Sequence, residues 1–564
     1  MANPLQNFVD LVGPPVSAEW LNGVDVLVNS VFQSALINST ARAGLFSDNP
    51  LEINNGGTAA RTVAQAQINL GIGALIAGAL SYPPLPIEGA TVVADYYPYG
   101  DIRRYGALVS ATDNSAAINA ALLVSANDVA AAFIPGGTWN CTSTLAAPPG
   151  SSMYGAGKAS NLVFANGVDG IQFTTSDAGI VPQPRFFRDF AITGTLTGTA
   201  NAAHGIYINT TTVDHVLFSN LALANFEFAV YVQGLYYSTF LNVWAINCYH
   251  GIYFNNQSVN VWITNCVWQH VSAGALITGS GNSTGISVQG APEVEGLHIQ
   301  GGSVYGFDYD ILLGLIFECQ IETVDISFAN ICPIFFTSSL GPLTIRDCWI
   351  ELGSSASGTW NTGGTGTGNL TGVFITAITP APSVSKVSIV GNEIVSDVTV
   401  SGSTGVYLGD SNNGVVFEDN QIRGFDIGIG GGNTLDNVGG YLTGASIRKN
   451  TITAATSSIL LNSLSTDISL GPNYIVSGGQ VTFNAGAPAG MVYEQPNVPM
   501  HGTAAFAAAT SVAVVFANAM PYATYIVSLG GNAAGYCWVT SKATTGFTIN
   551  CSVLNSNSVD WAIQ

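Results

Sequence analysis

Short apolar phrases that end in glycine or asparagine recur along most of the chain. Their first apolar residues lie 21 to 39 positions apart, at Ile206, Val230, Ile252, Ala275, Ile311, Ile334, Val373, Val406, Ile427, Ile459 and Val481. A unit this short cannot bury its own apolar face, but stacked units share one continuous core. Because Val, Ile, Phe and Tyr fit a half-buried pleat, the pattern predicts a solenoid built from β-strands.

A second register precedes these phrases and places a turn-forming residue at the centre of most of its members. The register consists of Asn220, Asn242, Asn265, Gly301, Thr323, Asp347, Gly391, Asp419, Lys449 and Leu470. Asn, Asp and Gly tolerate the left-handed backbone that a sharp corner requires. Several short strands and polar corners in 21 to 24 residues predict a parallel β-helix of about eleven or more coils. A leucine-rich solenoid and a propeller fit less well, because their patterns are absent.

The longer steps between phrases are interpreted as loops that project from the solenoid. They are polar and glycine-rich, as in GSGNSTGISVQGAPEVEG (residues 279–296), SSASGTWNTGGTGTGNLTG (354–372) and the segment around 396–404.

The segment RYGALVSATDNSAAINAALLVSANDVAAAFIPGGTW (residues 104–139) precedes the first coils. It predicts a helix with Asp113 as N-cap and an apolar stripe, followed by a strand, a turn and a strand. The stripe consists of Ala117, Ile118, Ala121 and Leu122. The helix is expected to cover the exposed strand edge at the start of the β-helix.

This entrance resembles that of the pectate-lyase-like right-handed β-helix family, as used in bacteriophage tailspikes and capsule depolymerases. The resemblance spans roughly residues 103–490. It implies a fold and not a chemistry, because the usual Gly-Asp-Gly before Thr112 is replaced by VSA.

The two ends of the chain depart from the repeat. Residues 1–90 are predicted to form an attachment domain, in which Leu21, Val24, Val28, Val31 and Ala35 have coiled-coil spacing within a helix over 17–36. An amphipathic helix that packs on its own domain is the alternative. The segments SAEWLNGVD and TAARTVAQAQINLGIG resemble the start of podoviral tail proteins and the linkers of tail fibres.

After the attachment domain we expect the β-helix entrance over residues 91–160 and the β-helix over 161–495. Residues 496–564 alternate apolar and polar positions and predict a C-terminal antiparallel β-sandwich. It would serve trimerisation or carbohydrate binding, with Tyr536, Trp538 and Trp561 as candidate sugar-stacking residues.

Composition excludes several classes of partner. The net charge is −21, from 34 acidic and 13 basic residues. Phosphate binding needs clustered Lys and Arg, so we expect no nucleic-acid partner. The chain contains no unbroken apolar run of eighteen residues, so we expect no membrane span. No secretion signal is evident at the N-terminus.

Cysteine and histidine spacing predicts neither a metal site nor a cofactor. The eight cysteines form no C-x-x-C pair and the six histidines form no H-x-x-H pair. Cys266 and Cys348 fall at the same place in the repeat and are expected to be small core residues. Whether Cys537 and Cys551 pair is left open.

The repeat register also sorts the acidic residues. The pairs Glu322 and Arg346, and Glu418 and Arg448, fall on consecutive coils and predict structural ion pairs. Glycoside hydrolysis needs two carboxylates, whereas a polysaccharide lyase needs a base and a group that neutralises a uronate. The residues aligned two and four positions after the corners supply the candidates for either reaction.

These candidates are Asp325 and Glu351 as a carboxylate pair, Glu393 as a third acid, and Trp349, Tyr305 and Trp244 as sugar-binding platforms. An acidic surface patch without catalysis is the alternative. A second candidate set consists of Glu293, Glu295, Asp308 and Asp310.

The resemblance implies a homotrimeric tailspike that is mounted on the virion tail and made in the host cytoplasm. It would contact a tail or portal adaptor protein through residues 1–90 and recognise, and cleave, a bacterial O-antigen or capsule. A receptor-binding fibre without enzymatic activity is the alternative on the same scaffold. An extracellular pectin-type enzyme is disfavoured by the extra non-catalytic ends.

Overall fold

The computed structural model describes residues 97–564. The described range has gaps at 128–129, 178–183, 196–202, 271–281, 290–293, 340, 354–369, 376–385, 398–401, 409–411, 432–441, 463–464, 485–491, 494–500, 517–524, 531–534, 556 and 564. The predicted attachment domain of residues 1–90, with its helix over 17–36, lies outside the described residues.

Strands dominate the described chain. One α-helix, α1, spans Ser115–Ala126, and two 3-10 helices span Ile102–Tyr105 and Gly157–Ala159. The strands up to residue 270 are β1 Ala132–Ile134, β2 Gly137–Cys141, β3 Leu145–Ala146, β4 Met153–Gly155, β5 Ser160–Phe164, β6 Ile171–Phe173, β7 Arg185–Arg188, β8 Ala191–Gly194, β9 His204–Ile208, β10 Val213–Asp214, β11 Val216–Ser219, β12 Ala222–Ala224, β13 Phe228–Val232, β14 Leu235–Tyr236, β15 Thr239–Leu241, β16 Trp244–Ile246, β17 His250–Phe254 and β18 Ser258–Gln269.

The strands from residue 284 to residue 493 continue the same series. They are β19 Thr284–Val288, β20 Val294–Tyr305, β21 Tyr309–Ile316, β22 Cys319–Glu322, β23 Asp325–Ala329, β24 Cys332–Ser339, β25 Leu343–Arg346, β26 Trp349–Leu352, β27 Thr371–Ile375, β28 Val387–Val390, β29 Glu393–Ser396, β30 Thr404–Leu408, β31 Asn412–Asn413, β32 Val416–Glu418, β33 Gln421–Gly431, β34 Leu442–Thr443, β35 Ser446–Arg448, β36 Thr451–Asn462, β37 Ser469–Leu470, β38 Tyr474–Asn484 and β39 Val492–Tyr493. The C-terminal strands are β40 His501–Ala505, β41 Ala509–Val515, β42 Val527–Gly530, β43 Cys537–Ala543, β44 Gly546–Asn555 and β45 Ser558–Ile563.

The predicted parallel β-helix is confirmed by the strand pairing. A 37-stranded sheet runs from β1 to β39 without β31 and β34, which pair with each other, and its strands pair in parallel. One column of apolar side chains runs through paired positions Leu145, Ile171, Ile206, Val230, Ile252, Ile286, Ile311, Ile334, Val373, Val406, Ile429, Ile459 and Val481. All but Val481, which packs against this core, are fully buried members of the main hydrophobic cluster.

Two positions of the predicted column are wrong. Ile286 occupies the place assigned to Ala275, so Thr284–Val288 is a strand inside the segment interpreted as a loop. Ile429 replaces Ile427, because register shifts occur between Arg423 and Ile427. Both errors arise where an insertion or a bulge breaks the spacing of the repeat.

Most of the predicted corners adopt the expected backbone. The φ angle lies between 52° and 71° at Asn220, Asn242, Asn265, Gly301, Thr323, Asp347, Gly391, Asp419 and Lys449. Leu470 is wrong as a corner, because it pairs with Ile447 and both side chains are buried in the core.

Four buried asparagines form a ladder beside the corners of the C-terminal coils. The side-chain amide of Asn392 donates to Asn420 Oδ1 at 2.9 Å, that of Asn420 to Asn450 Oδ1 at 3.0 Å, and that of Asn450 to Asn473 Oδ1 at 2.9 Å. All four residues are at most 1% exposed. A buried amide is costly unless it is hydrogen-bonded, and here each coil satisfies the amide of the coil before it.

The entrance helix covers the first coils as predicted. Ala117, Ile118, Ala121 and Leu122 are buried in the main hydrophobic cluster. The N-cap is Asn114 and not Asp113, whose Oδ1 instead accepts hydrogen bonds from the backbone N–H groups of Ser115 and Thr142, each at 3.0 Å. The carboxylate thereby joins the start of the helix to the strand β2 region.

The C-terminal strands form two three-stranded antiparallel sheets in the orders β40-β45-β42 and β41-β44-β43. They share a separate hydrophobic cluster that includes Phe516, Phe547 and Ile549. Cys537 and Cys551 lie directly opposite each other in β43 and β44 and form a disulfide. Cys266 and Cys348 are buried core residues, as predicted.

Candidate active site

Parallel stacking brings distant acids to one outer face of the β-helix. Paired positions run from Ser303 to Asp325, from Asp325 to Trp349, and from Trp349 to Glu393. Neighbouring strands of a sheet are about 4.8 Å apart, so these side chains form one column. We call the region the acidic face and define it by Tyr305, Asp325, Trp349, Glu351, Glu393 and Asp397.

A β-bulge shapes the centre of the acidic face. Ile326 pairs with Ile350 and Ala329 pairs with Leu352, so two residues, Ser327 and Phe328, oppose the single residue Glu351. Phe328 takes a left-handed φ of 62° and is 52% exposed. Bulges bend a strand and redirect a side chain, and this one lies beside the carboxyl group of Glu351.

Glu351 is a carboxyl group that is held away from water. It is 8% exposed, and the indole Nε1 of Trp349 donates to its Oε2 at 3.2 Å. Burial raises its pKa, and the Asp397 carboxyl group, to which it is hydrogen-bonded, and the charge of Asp325 raise the pKa further. The Trp349 hydrogen bond acts in the opposite direction. A raised pKa is what a general acid needs.

Asp325 lies in the exposed part of the same face. Its Oδ1 accepts a hydrogen bond from Ser327 Oγ at 2.5 Å, which fixes the carboxylate beside the bulge. Tyr305 is close enough that burial and the charge of Asp325 both raise the pKa of its phenol. The two acids therefore differ in solvent contact, which is the arrangement that separates the roles of two carboxyl groups in one site.

Glu393 is brought to this face but has a cationic partner. Arg423 NH2 lies 2.8 Å from Glu393 Oε1, and the guanidinium carbon lies 5.7 Å from the centre of the Trp349 ring. Through this ion pair, Glu393 positions the guanidinium group of Arg423 near the indole ring of Trp349.

Trp244 is not brought to the acids. Its column passes through Val267 and Ser303 before it reaches Asp325, so three strand spacings separate the two residues. The indole is 41% exposed, and the ammonium group of Lys158 lies 4.1 Å from its ring centre.

One acid of the face was missed by the sequence analysis, and another belonged to its second candidate set. Asp397 follows β29 directly, outside the aligned positions, so the register gave no signal for it. Asp310, which belonged to the second candidate set, is fully buried, and its Oδ2 has no hydrogen-bond partner. Burial raises the pKa of Asp310 well above its usual range, and the charge of Asp325 contributes to this rise.

The rest of the second candidate set does not form a site in the described chain. Asp308 Oδ2 accepts from the backbone N–H of Ser283 at 2.9 Å, and Ser283 Oγ accepts from the backbone N–H of Asp308 at 2.9 Å. These bonds join two consecutive coils. Glu293 lies outside the described residues.

The acidic face combines a carboxyl group that is readily protonated, a second carboxylate and aromatic side chains. These are the parts from which acid–base chemistry on a sugar polymer is built. No group of three or more His, Cys, Asp or Glu side chains is placed to hold a metal ion in the part of the chain that the structure describes. Within the same part, no helix has the length and apolar character needed to cross a membrane.

The fold and the face define a parallel β-helix protein with an acidic, aromatic outer surface. No known protein-family model matches the chain. A tail spike protein of Shigella phage Sf6 is 26% identical over 303 residues, which cover 50% of this chain and 44% of that protein. The chain thus matches less than half the length of this curated relative.

This similarity confirms the predicted resemblance to phage tailspikes that have a β-helix. Several solved structures are also similar. The tailspike of E. coli bacteriophage HK620, solved with a pentasaccharide, is 12% identical, with 82% of this chain and 93% of that chain covered and a TM-score of 0.46.

Two further solved structures are similar to a comparable degree. The tailspike gp49 of Pseudomonas phage LKA1 is 14% identical, with 82% and 99% covered and a TM-score of 0.44. The catalytic unit of a GH87 alpha-1,3-glucanase from Streptomyces thermodiastaticus is 13% identical, with 70% and 69% covered and a TM-score of 0.43.

Proposed function

We propose that the chain is a phage tailspike that binds a bacterial surface polysaccharide and cleaves it by hydrolysis. The observation that carries the proposal is that Glu351, whose pKa is raised, lies on one face of the β-helix with the more exposed Asp325, whose charge contributes to this rise. Glycoside hydrolysis uses one carboxylic acid to protonate the leaving oxygen and one carboxylate as base or nucleophile. Glu351 takes the first role and Asp325 the second.

The surrounding residues support these two roles. The charge of Asp397 and its hydrogen bond to Glu351 both raise the pKa of Glu351, which favours the acid form. Trp349 and Tyr305 offer aromatic faces on which sugar rings stack, and Trp349 also fixes the Glu351 carboxyl group through its indole N–H. Glu393 orients Arg423, which acts on the position of the Trp349 ring and not on the reacting atoms.

Hydrolysis is favoured over elimination by the charges of the face. A lyase must abstract a proton beside a uronate and neutralise the uronate carboxylate. Among the described side chains that define or contact the acidic face, the cation is Arg423, and Glu393 already neutralises it. An acidic polymer would also be repelled by Asp325 and Asp397, so the substrate of this site is a polymer that is uncharged where it is cut.

Assembly and location follow the resemblance to tailspikes. The protein is a homotrimer on the virion tail, it contacts a tail or portal adaptor through residues 1–90, and its polysaccharide is an O-antigen or a capsule.

The test uses the full-length protein and a panel of purified bacterial O-polysaccharides and capsular polysaccharides. We expect new reducing ends without the absorbance of an unsaturated uronate. Glu351→Gln should lower the rate by about 100-fold or more, because general acid catalysis typically contributes this much. The control Glu322→Gln, at an ion pair on an adjacent coil, should cleave normally.

Two results would contradict the proposal. Unsaturated products would replace hydrolysis by elimination. Saturable binding that leaves every polymer intact would favour a receptor-binding fibre without enzymatic activity.

A further inference from the structure

A cavity lies on the next sheet of the β-helix, on the other side of the corner that follows Tyr305. Its first wall is made of stacked rings from two adjacent strands, β13 and β17. The Phe228 and His250 rings are 4.5 Å apart with 17° between their planes, and Tyr253 lies edge-on to Phe228 at 5.2 Å. Tyr309 and Leu312 of β21 form the opposite wall of a cavity of about 440 Å³.

The cavity exists because one coil between the two walls carries small side chains. In one column Thr284 lies between His250 and Tyr309, and in the other Ser287 lies between Tyr253 and Leu312. Two strand spacings, about 9.6 Å, therefore separate the aromatic rings from the opposite wall. This gap has the width of a bound ring and not of a packing defect, and its volume lies in the range of ligand pockets, about 300–1,000 Å³.

The polar groups of the cavity are fixed and uncharged. Thr284 Oγ lies 2.7 Å from His250 Nδ1 and donates to Ser287 Oγ at 3.2 Å. This contact occupies Nδ1, which leaves Nε2 as the remaining hydrogen-bonding nitrogen of the His250 ring. Burial lowers the pKa of His250 to about 4, so the ring is neutral at physiological pH.

The rim of the cavity adds hydrogen-bonding groups without charge. Asn282 and Gln289 line it, and both residues are exposed. Burial raises the pKa of Tyr253 and of Tyr309, so both phenols stay protonated. Aromatic faces, amide groups, phenol groups and one imidazole nitrogen, with no ionised side chain among the described residues that line the cavity, match a ring that carries hydroxyl groups and no charge.

We propose that this cavity, the aromatic groove (Phe228, His250, Tyr253, Asn282, Gln289, Tyr309 and Leu312), is a second carbohydrate-binding site that holds a neutral sugar residue and takes no part in cleavage. The proposal rests on the proposed polysaccharide ligand and not on hydrolysis. Residues 306–308 form the corner between Tyr305 of the acidic face and Tyr309 of the groove. The aromatic groove binds the polymer near the acidic face, and this binding does not depend on cleavage.

The test measures binding of the full-length Glu351→Gln protein to an array of neutral and uronate-containing bacterial polysaccharides. We expect binding to neutral polysaccharides, and a loss of about tenfold in affinity for these glycans when Tyr253→Leu removes one aromatic wall. The matched control is Tyr207→Leu, because Tyr207 lies in the same column two coils away and does not line the cavity. It should bind within about twofold of the parent, since it keeps every contact to the sugar.

A milder variant keeps the test decisive if Tyr253→Leu fails to fold. Gln289→Ala changes an exposed side chain, and we expect a loss of about fivefold in affinity, the worth of one neutral hydrogen bond. Equal binding by the groove variants and the control would overturn the proposal. Binding to uronate-containing polysaccharides alone, or to no neutral polysaccharide, would overturn it as well.

Cleavage by the wild-type protein, measured on the same polysaccharides, separates this inference from the proposed function. Binding that depends on Tyr253 without any cleavage supports the groove and contradicts hydrolysis. Cleavage that is unaffected in the groove variants, together with unaffected binding, contradicts the groove and supports hydrolysis.

Discussion

Two groups of carboxyl groups occupy neighbouring strands of the same coils, and their surroundings differ. At the corners, Glu322 pairs with Arg346 at 2.8 Å, and Glu418 pairs with Arg448. Both arginines are at least 42% exposed. On the acidic face, Glu351 is 8% exposed and its neighbours are further acids and an indole.

The comparison shows that residue type does not distinguish a structural acid from a reactive one. An exposed ion pair in water contributes only about 0–1 kcal/mol to stability, and salt screens it. A carboxyl group buried beside like charges has its protonation shifted toward the neutral form, which favours proton transfer to a substrate. Partner and solvent decide the role, and substitutions at matched positions should separate the two groups.

The largest expected difference is between two aspartates of the same coil region. Asp325→Asn should lower the rate of polysaccharide cleavage by about 100-fold or more, because it removes the base or nucleophile. Asp347→Asn, at an exposed corner, should leave the rate unchanged. Reducing-end assays on the two purified variants measure the difference, and equal rates would remove Asp325 from the mechanism.

A smaller effect is expected from Asp397→Asn. The Asp397 carboxylate raises the pKa of Glu351, so its removal lowers that pKa. Glu351 then loses its proton at a lower pH, and the alkaline limb of the kcat/KM profile moves toward acid pH. The exposed corner variant Asp419→Asn is the control and should keep the wild-type profile, whereas an unmoved limb in Asp397→Asn would contradict the coupling.

Trp349→Phe should move the alkaline limb of the kcat/KM profile toward higher pH, opposite to the shift expected for Asp397→Asn. The indole N–H stabilises the Glu351 carboxylate and lowers its pKa, and phenylalanine cannot donate this hydrogen bond. The pKa of Glu351 rises, so the general acid stays protonated to higher pH. Trp262→Phe changes an exposed indole that stacks on His298, and it should not shift the profile. A shift toward acid pH in Trp349→Phe would show that another group controls the limb.

The smallest effect concerns the corner ion pair itself. Arg346→Gln should lower the free energy of unfolding by no more than about 1 kcal/mol, because the arginine is largely solvated. Cleavage should not change. Denaturant unfolding measures the first quantity, and a loss of several kcal/mol would mean that the corner pairs hold the coils together.

The fold was predictable because two periodic signals report the same geometry. Each coil needs an apolar side chain in the core and a residue with a left-handed backbone at the corner. Ile206 and Asn220 therefore belong to two independent series that repeat with the same spacing. The errors fall where a coil carries an insertion. Ala275 and Ile286 both follow a glycine, and the pairing of Ile286 with Ile252 and Ile311 shows which of them belongs to the column.

The acidic face was predictable only as far as the register extends. Alignment placed Asp325, Trp349 and Glu393 in one column, because stacked strands keep their spacing. The burial of Glu351 beside a bulge and the contact with Asp397 depend on side chains outside the repeat. The pair of Glu393 with Arg423 joins different columns of adjacent strands, which a column-by-column alignment does not display.

The asparagine ladder limits how such a protein changes length. Each amide from Asn392 to Asn450 gives its hydrogen to the coil that follows, so all of them point along the solenoid in one direction. If one complete turn is deleted, the asparagines on either side of the deletion can hydrogen-bond to each other. A deletion that begins or ends inside a turn would leave a buried amide without its hydrogen-bond partner. A β-helix with this ladder should therefore grow and shrink by whole turns, and recombination between such chains should leave its junctions at the corners.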